Sequence, residues 1–260
     1  MFFERNKSME QANINQYIRE VKINKSEIED INKYPFSLPI IKNLNRLKFH
    51  PKVTFIVGEN GSGKSTLLEG IAVSYGFNPE GGTKNFNFST YDSHSNLHKY
   101  ITLIKGIKRP QDSFFLRAES LYNVASNIDE LDSEEAIGNK IIDSYGGKSL
   151  HNQSHGESFF SIFMNRFSQN GIYILDEPEA ALSPSRQMMM LTRIHELVNK
   201  GCQFIISTHS PILMAYPDSI IYEIMDDEIK RVEYEETENY QITSEFLNNK
   251  EQFLDILLVR

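Results

Sequence analysis

Residues 58–66 read Gly58-Glu59-Asn60-Gly61-Ser62-Gly63-Lys64-Ser65-Thr66. This stretch fits the pattern G-x-x-x-x-G-K-[ST]. Before it, Val53–Val57 (VTFIV) is a short apolar run rich in β-branched residues; after it, a helical pattern runs from Lys64 to about Val73. Strand, glycine-rich turn and helix are the context that this pattern requires. The glycines let successive backbone N–H groups turn inward at a helix N-terminus and form an anion cradle. In such a loop Lys64 reaches the β- and γ-phosphates of a nucleotide, and the Ser65 hydroxyl ligates Mg2+. A chance glycine-rich turn is the alternative, and the flanking elements argue against it.

Working outward, Gly171–Leu175 (GIYIL) reads as a buried strand that closes on Asp176-Glu177-Pro178. Asp176, at the carboxyl end of that strand, can hold the hydration shell of Mg2+, and Glu177 can polarise an attacking water as general base. Gln203–Thr208 reads as a further strand. Between these two, Ser185–Lys200 is an amphipathic helix (Met188, Leu191, Ile194, Leu197, Val198), with Gly201 as its C-cap. Strand–helix–strand of this kind predicts a parallel sheet with right-handed crossovers. The middle is less regular: strands are expected at Asn85–Ser89 and Ser113–Arg117, and helices at Leu121–Ile128 and Glu134–Tyr145. From Ser219 a hairpin across Asp226-Asp227 is expected, then a helix over Ser244–Leu258.

The segment LDEPEAALSP (175–184) followed by Ser207-Thr208-His209-Ser210-Pro211 resembles the ABC ATPase superfamily. Within it the chain looks nearer the soluble SMC/RecF-like and AAA-type members than the transporter subunits. The resemblance implies an α/β fold: a P-loop NTPase of ABC type, with a mainly parallel central sheet, flanking helices and a small helical signature subdomain. On this reading residues 1–260 form one domain, with 120–168 the helical signature subdomain and 219–260 a C-terminal hairpin plus helix. It implies that His209 is the switch contacting the γ-phosphate, alongside Glu177 and Lys64 as catalytic residues. Ser154, His155, Gly156 and Glu157 stand where the family's Ser-Gly-Gly signature reaches the partner's γ-phosphate, with His155 replacing the first glycine. Ser183 stands in the D-loop for the usual acid. A metal-sensing Gln is expected after the strand at 113–117; none is there, and Glu119 is the candidate substitute. Tyr34 or Phe36 is the candidate for stacking on adenine. The resemblance further implies ATP and Mg2+ as ligands, and an ATP-dependent homodimer acting on an effector encoded elsewhere, in genome maintenance or defence against mobile DNA. The alternative is the nucleotide-binding subunit of an ABC membrane transporter.

Composition narrows the field. Forty per cent hydrophobic and 24% charged residues are ordinary globular values. The only cysteine is Cys202, which excludes an internal disulfide and suits a reducing cytoplasm. No apolar run approaches the ~20 residues that span a bilayer, so direct membrane insertion is not expected. The N-terminus (MFFERNKSMEQ) is too charged for a signal peptide. The net charge is −8, and residues 211–260 hold 4 basic against 12 acidic side chains. That balance does not favour nucleic acid as a partner, because such affinity is largely cationic. Lys105, Lys108 and Arg109 read as a solvated loop, and Met188–Met190 as packing. The 87 residues between Thr66 and Ser154 leave no room for long coiled-coil arms.

Overall fold

The computed structural model describes residues 16–83, 95–118, 125, 126, 145, 147, 155–225 and 228–258. Through these the elements run β1 (Ile18–Ile23), α1 (Pro39–Asn43), β2 (Arg46–Lys48), β3 (Val53–Gly58), α2 (Lys64–Tyr75), β4 (Ile101–Lys105), β5 (Asp112–Arg117), α3 (His155–Asn165), β6 (Gly171–Asp176), α4 (Pro184–Asn199), β7 (Gln203–Ser207), α5 (Pro211–Met214), β8 (Ser219–Met225), β9 (Glu228–Val232), α6 (Glu238–Asn248) and α7 (Lys250–Leu257).

Six strands form the large sheet in the order β5-β6-β7-β3-β8-β9. All neighbours are parallel except β8 and β9, which make the antiparallel hairpin expected from Ser219. β6 and β7 are buried along their whole length, as are Val53–Val57 of β3. Continuous apolar strands of this kind require cover on both faces. One face carries α3 and α4 through Phe159, Phe163, Met190 and Ile194. The other carries α2 through Leu67, Leu68 and Ile71, each worth roughly 1.5–3 kcal/mol on burial. Register then does the positioning: Arg117 pairs with Asp176, Asp176 with Ser207, and Ile56 with Ser207. The carboxyl ends of β3, β5, β6 and β7 therefore share one edge.

A second sheet, β2-β1-β4, is antiparallel and was not anticipated from the sequence. Its inner face (Val21, Leu47, Leu103) joins the core over α2. Gln203, at the start of β7, ties the two sheets together. Its Oε1 accepts from Tyr17 N and Ile18 N, both at 2.9 Å. Its Nε2 donates to Ile18 O at 2.8 Å and His50 O at 3.0 Å.

Several boundaries differ from expectation. The helix expected over Ser185–Lys200 begins one residue earlier, because Pro184 is pre-set for a first helical position and Ser183 Oγ accepts from Arg186 N. Gly201, at φ 81°, lies just beyond the capping residue Lys200. The helix expected over Ser244–Leu258 starts at Glu238 and is broken at Asn249, whose φ of −126° leaves the helical region. The strand expected at 85–89 lies outside the described residues, as does most of the helices expected at 121–128 and 134–145 and of the segment 120–168, of which α3 is the main described part. Among the described residues, no helix is long and apolar enough to cross a membrane.

Candidate nucleotide site

The loop between β3 and α2 is shaped by glycine. Gly58, Gly61 and Gly63 have φ of 145°, 83° and 97°, values that side chains rarely tolerate. A Cβ on Gly63 would also come within 2.7 Å of Ile40 Cγ2, so α1 presses directly on the loop. Lys64 is buried, and its Nζ donates to the carbonyls of Gly58 and Glu59, each at 2.8 Å. Glu59, Asn60 and Gly61 are exposed, and Ser62 is half-buried. Ser62 Oγ is buried with no hydrogen-bond partner among the described residues. The loop thus offers a lysine at hand and an unused hydroxyl.

Ser65, in the first turn of α2, donates from Oγ to Asp176 Oδ1 at 3.1 Å. Ser207 Oγ donates to the same oxygen at 2.5 Å. On the other side, Arg117 Nε lies 3.7 Å from Asp176 Oδ2, and its Nη1 is held by Glu69 Oε2 at 2.9 Å. Burial pushes the Asp176 carboxyl above the usual carboxylate range, opposed by the Ser207 and Ser65 bonds and the Arg117 charge. Burial also lowers Lys64, against the pull of Glu177, Asp176 and Glu179.

Glu177 has a left-handed backbone, φ 49°. Its N–H donates to Ser207 O at 3.1 Å, which holds the chain where it leaves the sheet. Its Oε1 stands 3.5 Å from His209 Nε2, and that nitrogen is otherwise buried without a hydrogen-bond partner among the described residues. Burial, then the Lys64 charge, lower the imidazole below its ordinary value, with Glu177 opposing. A neutral ring has one N–H donor and one acceptor nitrogen.

Of the residues picked out by sequence, Lys64, Ser65, Asp176, Glu177 and His209 come together. Thr66 lies beside them, its Oγ1 3.4 Å from the hydroxyl of exposed Tyr34. Phe36 is buried edge-on against Tyr100, in the core and not at the loop, which leaves Tyr34 as the aromatic at the site. Ser154 and Glu119 lie outside the described residues. His155 opens α3, Gly156 is half-buried and Glu157 is exposed in the first turn. A Cβ on Gly156 would meet Ala181 O at 2.3 Å, so this helix end abuts the loop carrying Ser183. Met190 is buried while Met188 and Met189 are half-exposed on α4. Sequence reading missed Ser207, Arg117, Glu69 and Glu179. The first two were visible as polar residues ending apolar strands; the last two depend on packing.

The fit to a nucleotide with Mg2+ rests on the donor set: a Ser62 hydroxyl without a partner among the described residues, a glycine cradle, and a hydroxyl and carboxylate 3.1 Å apart. Mg2+ is ordinarily held by one or two protein oxygens plus phosphates and water. Among the described residues no cluster of three or more His, Cys, Asp or Glu suits a metal by itself.

The chain is similar to several known proteins. The AAA ATPase domain family matches residues 96–214. The energy-coupling factor transporter ATP-binding protein EcfA2 of Methanospirillum hungatei is 28% identical over 204 residues, covering 74% of this chain and 50% of that protein. A putative ABC transporter ATP-binding protein of Methanothermobacter marburgensis is 29% identical over 222 residues, covering 78% and 77%. The chain thus spans half the length of the first relative and about three quarters of the second. Among solved structures, cbiO1 from Clostridium perfringens, part of the ABC transporter complex cbiONQ, aligns with a TM-score of 0.50 at 17% identity. That match covers 91% of this chain and 97% of the other. Sheet and matches make the chain similar to ABC-type P-loop ATPases, with residues 96–214 similar to the AAA ATPase domain family.

Proposed function

We propose that the chain binds Mg-ATP at Gly58–Thr66 and hydrolyses it in a dimer of two copies, each site completed by the partner's segment 154–157. The observation that carries this is the convergence of Lys64, Ser65, Asp176, Glu177 and His209 on one edge of the parallel sheet. Lys64 would exchange its two loop carbonyls for phosphate oxygens, an anion in place of neutral acceptors. Ser65 and Asp176 would hold Mg2+, which when bound neutralises charge on the β- and γ-phosphates. Glu177 would take a proton from the attacking water, and His209 would bridge Glu177 to the γ-phosphate. Tyr34 is the aromatic we assign to the adenine. Arg117, the last residue of β5, supplies a cation beside Asp176; Glu119, where a Gln was expected, remains a candidate metal contact.

Release of phosphate would reset the dimer, making it a conformational switch. Its likeness to SMC/RecF-type proteins supports a cytoplasmic role with an effector in genome maintenance or defence. The transporter reading is favoured by a separate observation, that the two relatives described above are named as transporter ATP-binding proteins. In that case an integral membrane partner co-purifies with the chain. Steady-state phosphate release tests the core claim. Glu177→Gln should lose at least about 100-fold in kcat while still binding ATP, and Lys64→Ala should weaken binding. Turnover unchanged in Glu177→Gln would remove Glu177 from the chemistry.

A further inference from the structure

Both backbone polar groups of His209 are held by side chains from distant segments. Its N–H donates to Glu179 Oε1 at 2.5 Å. Its carbonyl accepts from Asn239 Nδ2 at 3.1 Å. The next residue is anchored as well, Ser210 Oγ donating to Gln187 Oε1 at 2.5 Å. Asn239 sits in the first turn of α6, and the adjacent Glu238 N–H donates to Glu223 Oε1 of β8 at 2.9 Å, where Glu223 is buried. Glu238 also lines a cleft of about 440 Å³ together with Glu59–Ser62 of the phosphate loop. One helical turn therefore touches the switch histidine and borders the nucleotide loop. The rest of α6 and α7 buries no residue and exposes Ile242, Leu247 and Ile256.

We propose that Glu179 and Asn239 are positioning residues for His209, and that Asn239 couples the C-terminal helix α6 to the nucleotide site. The inference rests on the reading of His209 as the γ-phosphate contact. An imidazole is aimed by its backbone, and one bond to each of the two peptide units flanking the His209 Cα fixes the orientation of residues 208–210. Losing one bond frees the ring to shift, and a misplacement of ~1 Å can cost up to about 100-fold in rate. Neither side chain touches substrate in this scheme; each acts through the histidine. The C-terminal helices thereby become part of the switch, because any tilt of α6 moves the amide that holds His209.

The test uses the full chain with Asn239→Ala and Asn239→Asp, the latter keeping the shape but losing the donor. Both should lower kcat about 10-fold with KM for ATP changed less than about 2-fold. Amide exchange across residues 207–210 should quicken in both, with exchange elsewhere unaltered, a signature that does not depend on turnover. In a His209→Ala background, Asn239→Ala should lower kcat no further. If His209→Ala lowers kcat but both Asn239 variants match the wild type in kcat and exchange, the positioning role is overturned. If His209→Ala itself leaves kcat unchanged, the reading beneath it fails and the coupling fails with it. Glu179→Ala should show the same split, whereas Glu179→Gln, which keeps an acceptor oxygen, should retain most of the rate.

Discussion

Glu177 carries a backbone cost along with its chemistry. A non-glycine residue in the left-handed region is strained by about 1–3 kcal/mol, and Glu177 is there at φ 49°. Nothing about glutamate favours that conformation. The strand ends at Asp176, and the next N–H turns to Ser207 O, which forces the chain off the sheet while aiming the side chain at His209. We therefore expect Glu177→Gly to raise stability by about 1 kcal/mol in chemical denaturation while abolishing phosphate release. Equal or lower stability in that variant would show that the conformation is not strained. Asp176 and Ser65 were legible at this scale because strand-end acid and post-lysine serine are local patterns. Glu179 and Asn239 were not, since each meets His209 across 30 positions of sequence.

At the scale of elements, the join between the two sheets depends on Gln203. Its amide satisfies two backbone donors and two backbone acceptors in a fully buried place. Gln203→Leu would strand Tyr17 N and Ile18 N without acceptors, so unfolding experiments should record a loss of roughly 2–4 kcal/mol. His50 sits at the same join. Its Nδ1 accepts from Lys52 N at 3.3 Å, and burial holds its pKa below the ordinary imidazole value. A histidine depressed on folding binds its proton more readily in the unfolded chain, so its contribution is intact above about pH 6.5 and lost as pH falls below it. Denaturation at pH 7.5 and 5.5 should show the wild type losing more stability on acidification than His50→Asn. These features also explain what sequence left hidden. β3, β6 and β7 announce themselves as unbroken apolar runs before glycine, acid or histidine. β1, β2 and β4 are three to six residues long, carry Lys and Arg on their outer face, and pair 18–23 with 101–105, which no local periodicity reveals. The end helices were misjudged because Asn249 breaks a pattern that reads as continuous.

For the whole molecule, the proposed hydrolysis needs two copies to meet. The described part of segment 154–157 packs on the loop carrying Ser183 through Gly156, and Met188 and Met189 stand half-exposed early in the next helix. With a net charge of −8, two copies repel at long range, and in the proposed dimer the contacts that oppose this form when nucleotide is bound. The most direct measurement is the molar mass of Glu177→Gln in solution by light scattering, with and without Mg-ATP. A shared site gives a single-copy mass without nucleotide and a doubled mass with it, reverting when Lys64→Ala is added. A mass that stays at one copy in saturating Mg-ATP, at high protein concentration, would contradict the shared-site dimer.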